Sequence, residues 1–469
     1  MRFAPCRAVI MLAAAVTVST LAAVVPQEAG AAPSSIGATG GGDPYFPRQG
    51  NGGYDVAHYA LRISYAPASG QLVGHARIVA TTTQRLTRFD LDLRRNLHVR
   101  AVSVDGHAAK WAQPADQVQE LVIRPAHVLK AKHRFTVRVS YSGPAHNVTD
   151  PDGSPDGFIK TSDGAFVASE PQGSPTWFPV NDTPRDKATY AIAVTVPHGL
   201  TAVSNGQYKG RVDQGGHSTF RWRMSTPISS YLVTATIGRF DVTRGRTPSG
   251  VPYYIAVDPA VQSASAAVLR KLPSIVDYFS NVYGRYPFGS SGAIVDDAPF
   301  VQYALETATR PLFDSPPDVL TLAHELAHQW YGDDVTLARW RDIWINEGFA
   351  EFSSWLWEEH TGGRTTAQHL SDLMSLPASD TDEWLPAPGN PGSADAIFST
   401  SVYDRGAATL AALREKLGDH TFFAIMRGWL VAHRHGNASV AQFTAYAAKV
   451  AHRNLDAFFE RWLYKKAKP

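Results

Sequence analysis

His324-Glu325-Leu326-Ala327-His328 sets two imidazoles four residues apart, with a glutamate directly after the first. On a helix that spacing puts both histidines on one face, a turn apart. Val319, Leu322, Ala323, Leu326 and Trp330 recur at helical spacing and form the stripe that must be buried. The histidines lie away from the centre of that stripe, where two imidazoles can hold one zinc ion. By itself the pair also fits two solvated histidines, because a chain with 17 His can show the pattern by accident. The downstream residues decide between these readings. Trp340-Arg341-Asp342-Ile343-Trp344-Ile345-Asn346-Glu347 opens a second helix, and Glu347 follows His328 after eighteen intervening residues. A carboxylate there supplies a third ligand and leaves the fourth position to water, the open geometry of a catalytic zinc.

These residues resemble the M1 family of metallo-aminopeptidases, in the gluzincin clan, and the resemblance runs from about Gly42 to the C-terminus. It implies an α+β multidomain fold, with a saddle-like antiparallel β domain followed by a mostly helical, thermolysin-like zinc metallopeptidase domain. It also implies that His324, His328 and Glu347 hold one zinc ion per chain and that Glu325 is the general base. Tyr403-Asp404-Arg405-Gly406-Ala407 is similar to the family's Tyr-x-Lys-Gly-Ala, whose phenol steadies the oxyanion. Tyr303-Ala304-Leu305-Glu306-Thr307 aligns with Gly-Ala-Met-Glu-Asn, which assigns Ala304 and Glu306 to substrate binding. Three of those five positions differ from the family, and Glu306 stands only eighteen positions before His324. The loop forming the near substrate pocket is therefore expected to be remodelled. Glu170-Pro171, followed by Phe178-Pro179-Val180-Asn181-Asp182-x-Pro184, is similar to a family run that places Glu170 across from Glu306. Two buried carboxylates facing each other suit a free α-ammonium, because a blocked peptide would leave their charge unpaired. Asp182 and Pro184 are expected to be structural. The implied partners are peptides with a free N-terminus, and the preferred first residue is not readable from the motifs.

Something must position these groups. Tyr59-x-Leu61-x-Ile63-x-Tyr65, Phe135-x-Val137-x-Val139-x-Tyr141 and Ile192-x-Val194-x-Val196 alternate with period two, as strands with one wetted face do. They assign residues 54–246 to an antiparallel β domain. Helical spacing then takes over in Val268–Tyr283, Pro316–Tyr331, Ile343–His360, Thr400–Leu417 and a stretch ending near Leu463, which assigns 247–469 to the catalytic domain. Ser315 is the expected cap of the histidine helix, with Pro316 at its first position and Asp318 completing a capping-box-like pattern. Asp150–Gly157 reads as Asp-Gly turns, because it lacks the acidic spacing of a calcium loop. Residues 32–53, rich in Gly, Ser and Pro, read as a flexible leader.

Arg2 and Arg7, the apolar run Ala8–Val25 and Ala29-Gly30-Ala31 have the layout of a secretory signal peptide over residues 1–31, so the protein is expected to be secreted. No second stretch is long and apolar enough to span a membrane. Cys6 is the only cysteine and lies within the leader, so the mature chain has no disulfide or thiolate site. Lys plus Arg is 44 against 42 for Asp plus Glu, which excludes the basic excess of a dedicated nucleic-acid binder. Because the chain stops at Pro469, the cleft is expected to be more open than in larger family members. Two other functions compete with aminopeptidase action. One is an endopeptidase with the same zinc core, favoured if Glu306 and Glu170 fail to converge. The other is a non-catalytic peptide-binding protein, disfavoured because no expected ligand or base is missing.

Overall fold

The computed structural model describes residues 35–469, and the signal peptide expected over residues 1–31 lies outside them. Tyr59, Leu61, Ile63 and Tyr65 are buried while Arg62 and Ser64 face out, so strand Tyr54–Ala66 has one dry face. It belongs to an eight-stranded sheet whose spatial order is Gln207–Gln214, His217–Ile228, Ala188–Pro197, Tyr54–Ala66, Gln71–Thr82, Arg134–Pro144, His98–Val104 and His107–Ala108. The sheet is not wholly antiparallel as expected. Tyr54–Ala66 and Ala188–Pro197 run parallel, with Leu61 opposite Ile192. Alternation within a strand is the same for either direction, so it carries no signal for this pair.

A second sheet orders Thr201–Ser204, Ala235–Gly238, Ala165–Ala168, Pro155–Lys160 and Val148–Thr149. Ala165–Ala168 is buried at every position, and its end delivers Ser169 and Glu170. In the second half of the chain, Asp241–Arg246 pairs with Pro252–Val257, a hairpin that spans residue 246. From there the sheet continues in parallel through Ser291–Val295 and Leu312–Phe313. Its antiparallel edge strand, Ala304–Leu305, ends where Glu306 begins.

The histidine helix covers Val319–Ala327, shorter than expected, and its cap is not Ser315. Asp318 Oδ1 accepts from the N–H groups of Leu320 and Thr321, both at 2.8 Å, while the Ser315 hydroxyl donates to Asp314 at 2.8 Å. Pro316 precedes Pro317, and a residue before proline is pushed out of the helical region, so the helix cannot start there. The expected helix Val268–Tyr283 is two, Gln262–Leu269 and Leu272–Tyr283, with Pro273 in the first turn of the second. Trp344–His360 and Thr400–Leu417 form as expected.

The described part of the leader is not loose. Asn51 donates its N–H to Asn181 Oδ1 at 2.6 Å in the β half. Asp43 Oδ2 accepts from the Trp340 N–H, and Gln49 Oε1 accepts from Trp340 Nε1, both at 2.8 Å in the helical half. Residues 35–53 therefore clasp both halves, through long-range bonds that a Gly- and Pro-rich composition does not signal. Among the described residues, no helix is long and apolar enough to cross a membrane.

Candidate active site and metal centre

The histidine helix packs against Trp344–His360, which presents Glu347 in its first turn. His324 Nε2 and His328 Nε2 each lie 3.4 Å from Glu347 Oε2. Two ligand atoms about 2.05 Å from a metal at the tetrahedral angle stand about 3.3 Å apart, so the spacing suits one zinc ion. The opposite ring nitrogens are already occupied. His324 Nδ1 bonds Glu351 Oε2 at 3.0 Å, and His328 Nδ1 donates to the Tyr331 carbonyl at 3.0 Å. Those bonds turn both Nε2 lone pairs toward Glu347. Burial works against the Glu347 carboxylate, but the two imidazoles outweigh it and hold its pKa at about 2. Against the effect of burial, Glu347 favours protonated rings at His324 and His328, and a divalent cation binds by taking the place of those ring protons, with the carboxylate ionised and both imidazoles neutral.

Glu351, a residue with no motif of its own, orients His324. Its other oxygen accepts from Trp355 Nε1 at 2.7 Å, one turn further along the helix. Glu351→Ala frees the His324 ring to rotate. Zinc affinity, measured by chelator competition, is expected to fall about 10- to 100-fold while the fold persists.

Tyr403 reaches the site because two helices cross closely. A Cβ on Gly406 would stand 3.1 Å from Gly348 Cα, and one on Gly348 would stand 3.0 Å from the Gly406 carbonyl carbon. Only glycine at both positions allows the helix Thr400–Leu417 to approach the Glu347 helix this closely. Its Tyr403 ring then stacks on His324, with centroids 5.8 Å apart. Arg405, where the family has lysine, is fully buried, and its guanidinium donates to the carbonyls of Trp384, Trp462 (2.9 Å), Arg461 (3.3 Å) and Lys465 (2.8 Å). That clamp fixes the tyrosine helix to the C-terminal turn.

Glu325 is 6% exposed, and its Oε2 has no hydrogen-bond partner. Burial raises its pKa to about 7, against the pull of His324 and His328. Glu306 and Glu170 converge from different halves of the chain: ligand atoms of Glu170, Glu306 and Glu347 lie within 4.8 Å of one another. Burial, reinforced by Glu306 and then Glu347, pushes the Glu170 carboxyl well up. The Glu306 carboxyl is raised by burial, with His328 opposing. One oxygen of each, Oε1, is buried without a partner. The strand carrying Glu306 is tied to the histidine helix, since Gln329 Nε2 donates to the Glu306 carbonyl at 3.3 Å and Gln329 Oε1 accepts from the Thr309 N–H at 2.7 Å.

A cavity of about 790 Å³ is lined by His324, Glu325, His328, Glu347, Tyr403, Glu306, Glu170 and Ala304, so all eight residues singled out from the sequence share it. Asp152, from the stretch read as Asp-Gly turns, also lines it, as do Phe300 and Phe398, which no motif marks. Tyr303, where the family has glycine, donates its hydroxyl to the Pro155 carbonyl at 2.7 Å and so closes the near wall against the β half. Asp182 is buried and accepts from the Ser230 hydroxyl at 2.8 Å, away from the cavity lining.

Residues 56–232 match the peptidase M1 N-terminal domain, and residues 314–462 match the peptidase family M1 domain. The chain is 28% identical over 319 residues to aminopeptidase M1-B of Oryza sativa subsp. japonica, covering 62% of this chain and 36% of that protein. It is 27% identical over 331 residues to human glutamyl aminopeptidase, covering 64% and 34%. The chain thus spans about a third of the length of these curated relatives. The M1 zinc metallopeptidase of Deinococcus radiodurans superposes with a TM-score of 0.83 at 27% identity, over 91% of this chain and 97% of that one. A glutamate-to-alanine variant of that enzyme bound to the substrate Tyr-Ser-Ala superposes with a TM-score of 0.84 at 26% identity, over 91% and 98%.

Proposed function

This chain belongs to peptidase family M1, and from that premise we propose that it is a secreted zinc aminopeptidase that removes N-terminal residues from peptides. The observation that carries the reading is the convergence of Glu170 and Glu306 within 4.8 Å of each other and of Glu347. The raised carboxyls of Glu170 and Glu306 can keep one proton between them, so an α-ammonium placed there balances the remaining negative charge and fixes the first peptide bond beside the donor triad. An N-blocked or internal segment brings no positive charge and leaves the buried Oε1 of each carboxyl without a partner. Secretion rests on the charge and hydrophobicity pattern of residues 1–31.

His324, His328 and Glu347 would hold the zinc ion, which when bound would polarise the scissile carbonyl and lower the pKa of water enough to make a hydroxide nucleophile available near neutral pH. Glu325, which lines the cavity and keeps one oxygen unpaired, takes the proton from the attacking water and passes it to the leaving amine. Tyr403 donates its hydroxyl to the carbonyl oxygen as negative charge gathers there. Ala304, on the edge strand before Glu306, lines the wall along which the substrate backbone lies. Tyr403→Phe is expected to lower kcat on the order of 10²- to 10³-fold with little change in zinc content, as loss of one oxyanion donor does. Steady-state kinetics with metal analysis checks it.

The reading itself is tested by hydrolysis of Ala, Leu, Arg and Phe anilides by the purified protein. Chelator should stop cleavage and added zinc should restore it. Zinc-loaded protein that cleaves none of the four would sink the proposal and favour a peptide-binding role.

A further inference from the structure

Glu170 sits in a turn between the buried strand Ala165–Ala168 and the short helix Ser174–Thr176. The next two residues of the turn are held by hydrogen bonds. The Gln172 N–H donates to Asp156 Oδ2 at 2.9 Å, Gln172 Nε2 donates to Asp150 Oδ1 at 2.7 Å, and Gln172 Oε1 accepts from Arg94 Nη2 at 3.1 Å. The Pro171 carbonyl accepts from Gln49 Nε2 at 2.7 Å. The turn also lies hard against Asp156: a Cβ on Gly173 would meet Asp156 Oδ1 at 2.3 Å. Both residues that come after Glu170 are thus bonded to fixed partners.

Asp156 touches no solvent, so it is not a substrate contact. Burial raises its carboxyl, and the neighbouring Asp150 raises it further. Its chain neighbour Pro155 accepts the Tyr303 hydroxyl at 2.7 Å, and Tyr303 leads into the edge strand that ends at Glu306. Residues 155 and 156 therefore hold the Glu170 turn on one side and the Glu306 strand on the other. We propose that Asp156 and Gln172 are positioning residues that set the spacing of Glu170 from Glu306, and with it the grip on a free α-ammonium. The inference rests on the aminopeptidase reading. Small displacements at such a site are expensive, because both carboxylates must meet one ammonium while the peptide bond stays beside the metal ligands.

The test compares zinc-loaded parent protein with Asp156→Ala, Asp156→Asn and Gln172→Ala, each assayed on leucine p-nitroanilide and its N-acetyl counterpart. Asp156→Ala and Gln172→Ala are expected to raise KM for the free amine about tenfold, with kcat within about threefold of the parent. Asp156→Asn retains an acceptor oxygen for the Gln172 N–H and should recover most of that loss. A purely structural role would instead lower kcat, zinc content and melting temperature together. If Asp156→Ala does not fold, Gln172→Ala still decides, because it trims a side chain and leaves the backbone bond to Asp156 in place. An unchanged KM in the soluble, zinc-loaded alanine variants overturns the inference, as does an Asp156→Asn protein as impaired as Asp156→Ala. A parent that cleaves both substrates equally refutes the aminopeptidase reading, and the inference with it. A parent that discriminates, with variants that grip the amine equally well, refutes the inference alone.

Discussion

Glu325→Gln is expected to fold, to keep one zinc ion and to turn over peptides roughly 10³- to 10⁴-fold more slowly than the parent. The substitution is nearly isosteric and adjoins His324 without being one of the three donors, so the 3.4 Å spacings of both imidazoles to Glu347 should survive. The change removes basicity. In the parent, Glu325 Oε2 is buried with no partner, and the carboxyl titrates at about 7, where it can both accept and release a proton near neutral pH. An amide does neither. The measurements are kcat, zinc by elemental analysis and melting temperature. Activity above about a tenth of the parent's, with zinc at one equivalent, would assign the proton transfer to another group.

Glu347→Ala has the larger structural consequence: zinc content falls to background, and peptide hydrolysis falls with it. Glu347 Oε2 is the partner common to both Nε2 atoms, and without it two imidazoles alone remain as donors in the cluster. Structural and catalytic zinc sites alike use at least three protein ligands, and losing one typically leaves the ion too weakly held to survive purification. The helix should persist, because Phe349, Phe352 and Leu356 keep its buried face against the core. Elemental analysis and circular dichroism together check both halves of the expectation. One equivalent of zinc in Glu347→Ala would mean that another set of carboxylates in the cavity is the metal site.

The metal centre is legible from the residues because it is local. Two histidines at helical spacing and a glutamate at the start of the next helix need only those helices to pack against each other. Tyr403 needs the motif, since its arrival depends on Gly348 and Gly406 letting two backbones nearly touch. Glu170 and Glu306 are a different case: one follows a buried strand of the first half of the chain and the other an edge strand of the second. Period-two alternation identifies such strands but not which ends meet, so only the resemblance supplies their pairing. The same limit hides the parallel neighbours Tyr54–Ala66 and Ala188–Pro197 and the clasp formed by Asp43, Gln49 and Asn51. The cap departs from expectation for a local reason. Ser and Asp serve equally well as caps, but two consecutive prolines postpone the helix past Ser315 to the next side chain able to serve, Asp318.

The central claim is that two buried carboxylates make this site read a free N-terminus, and substrate selectivity measures that directly. The quantity is the ratio of kcat/KM for a peptide anilide with a free α-amine to that for its N-acetylated twin, on zinc-loaded parent protein. A site built to pair a charged group rejects the analogue that lacks it by roughly 10⁴-fold, so a ratio of that order is expected. Glu306→Gln should lower the ratio by weakening the free amine alone. A parent ratio near one, with both cleavages stopped by chelator, would contradict the account and describe a zinc endopeptidase.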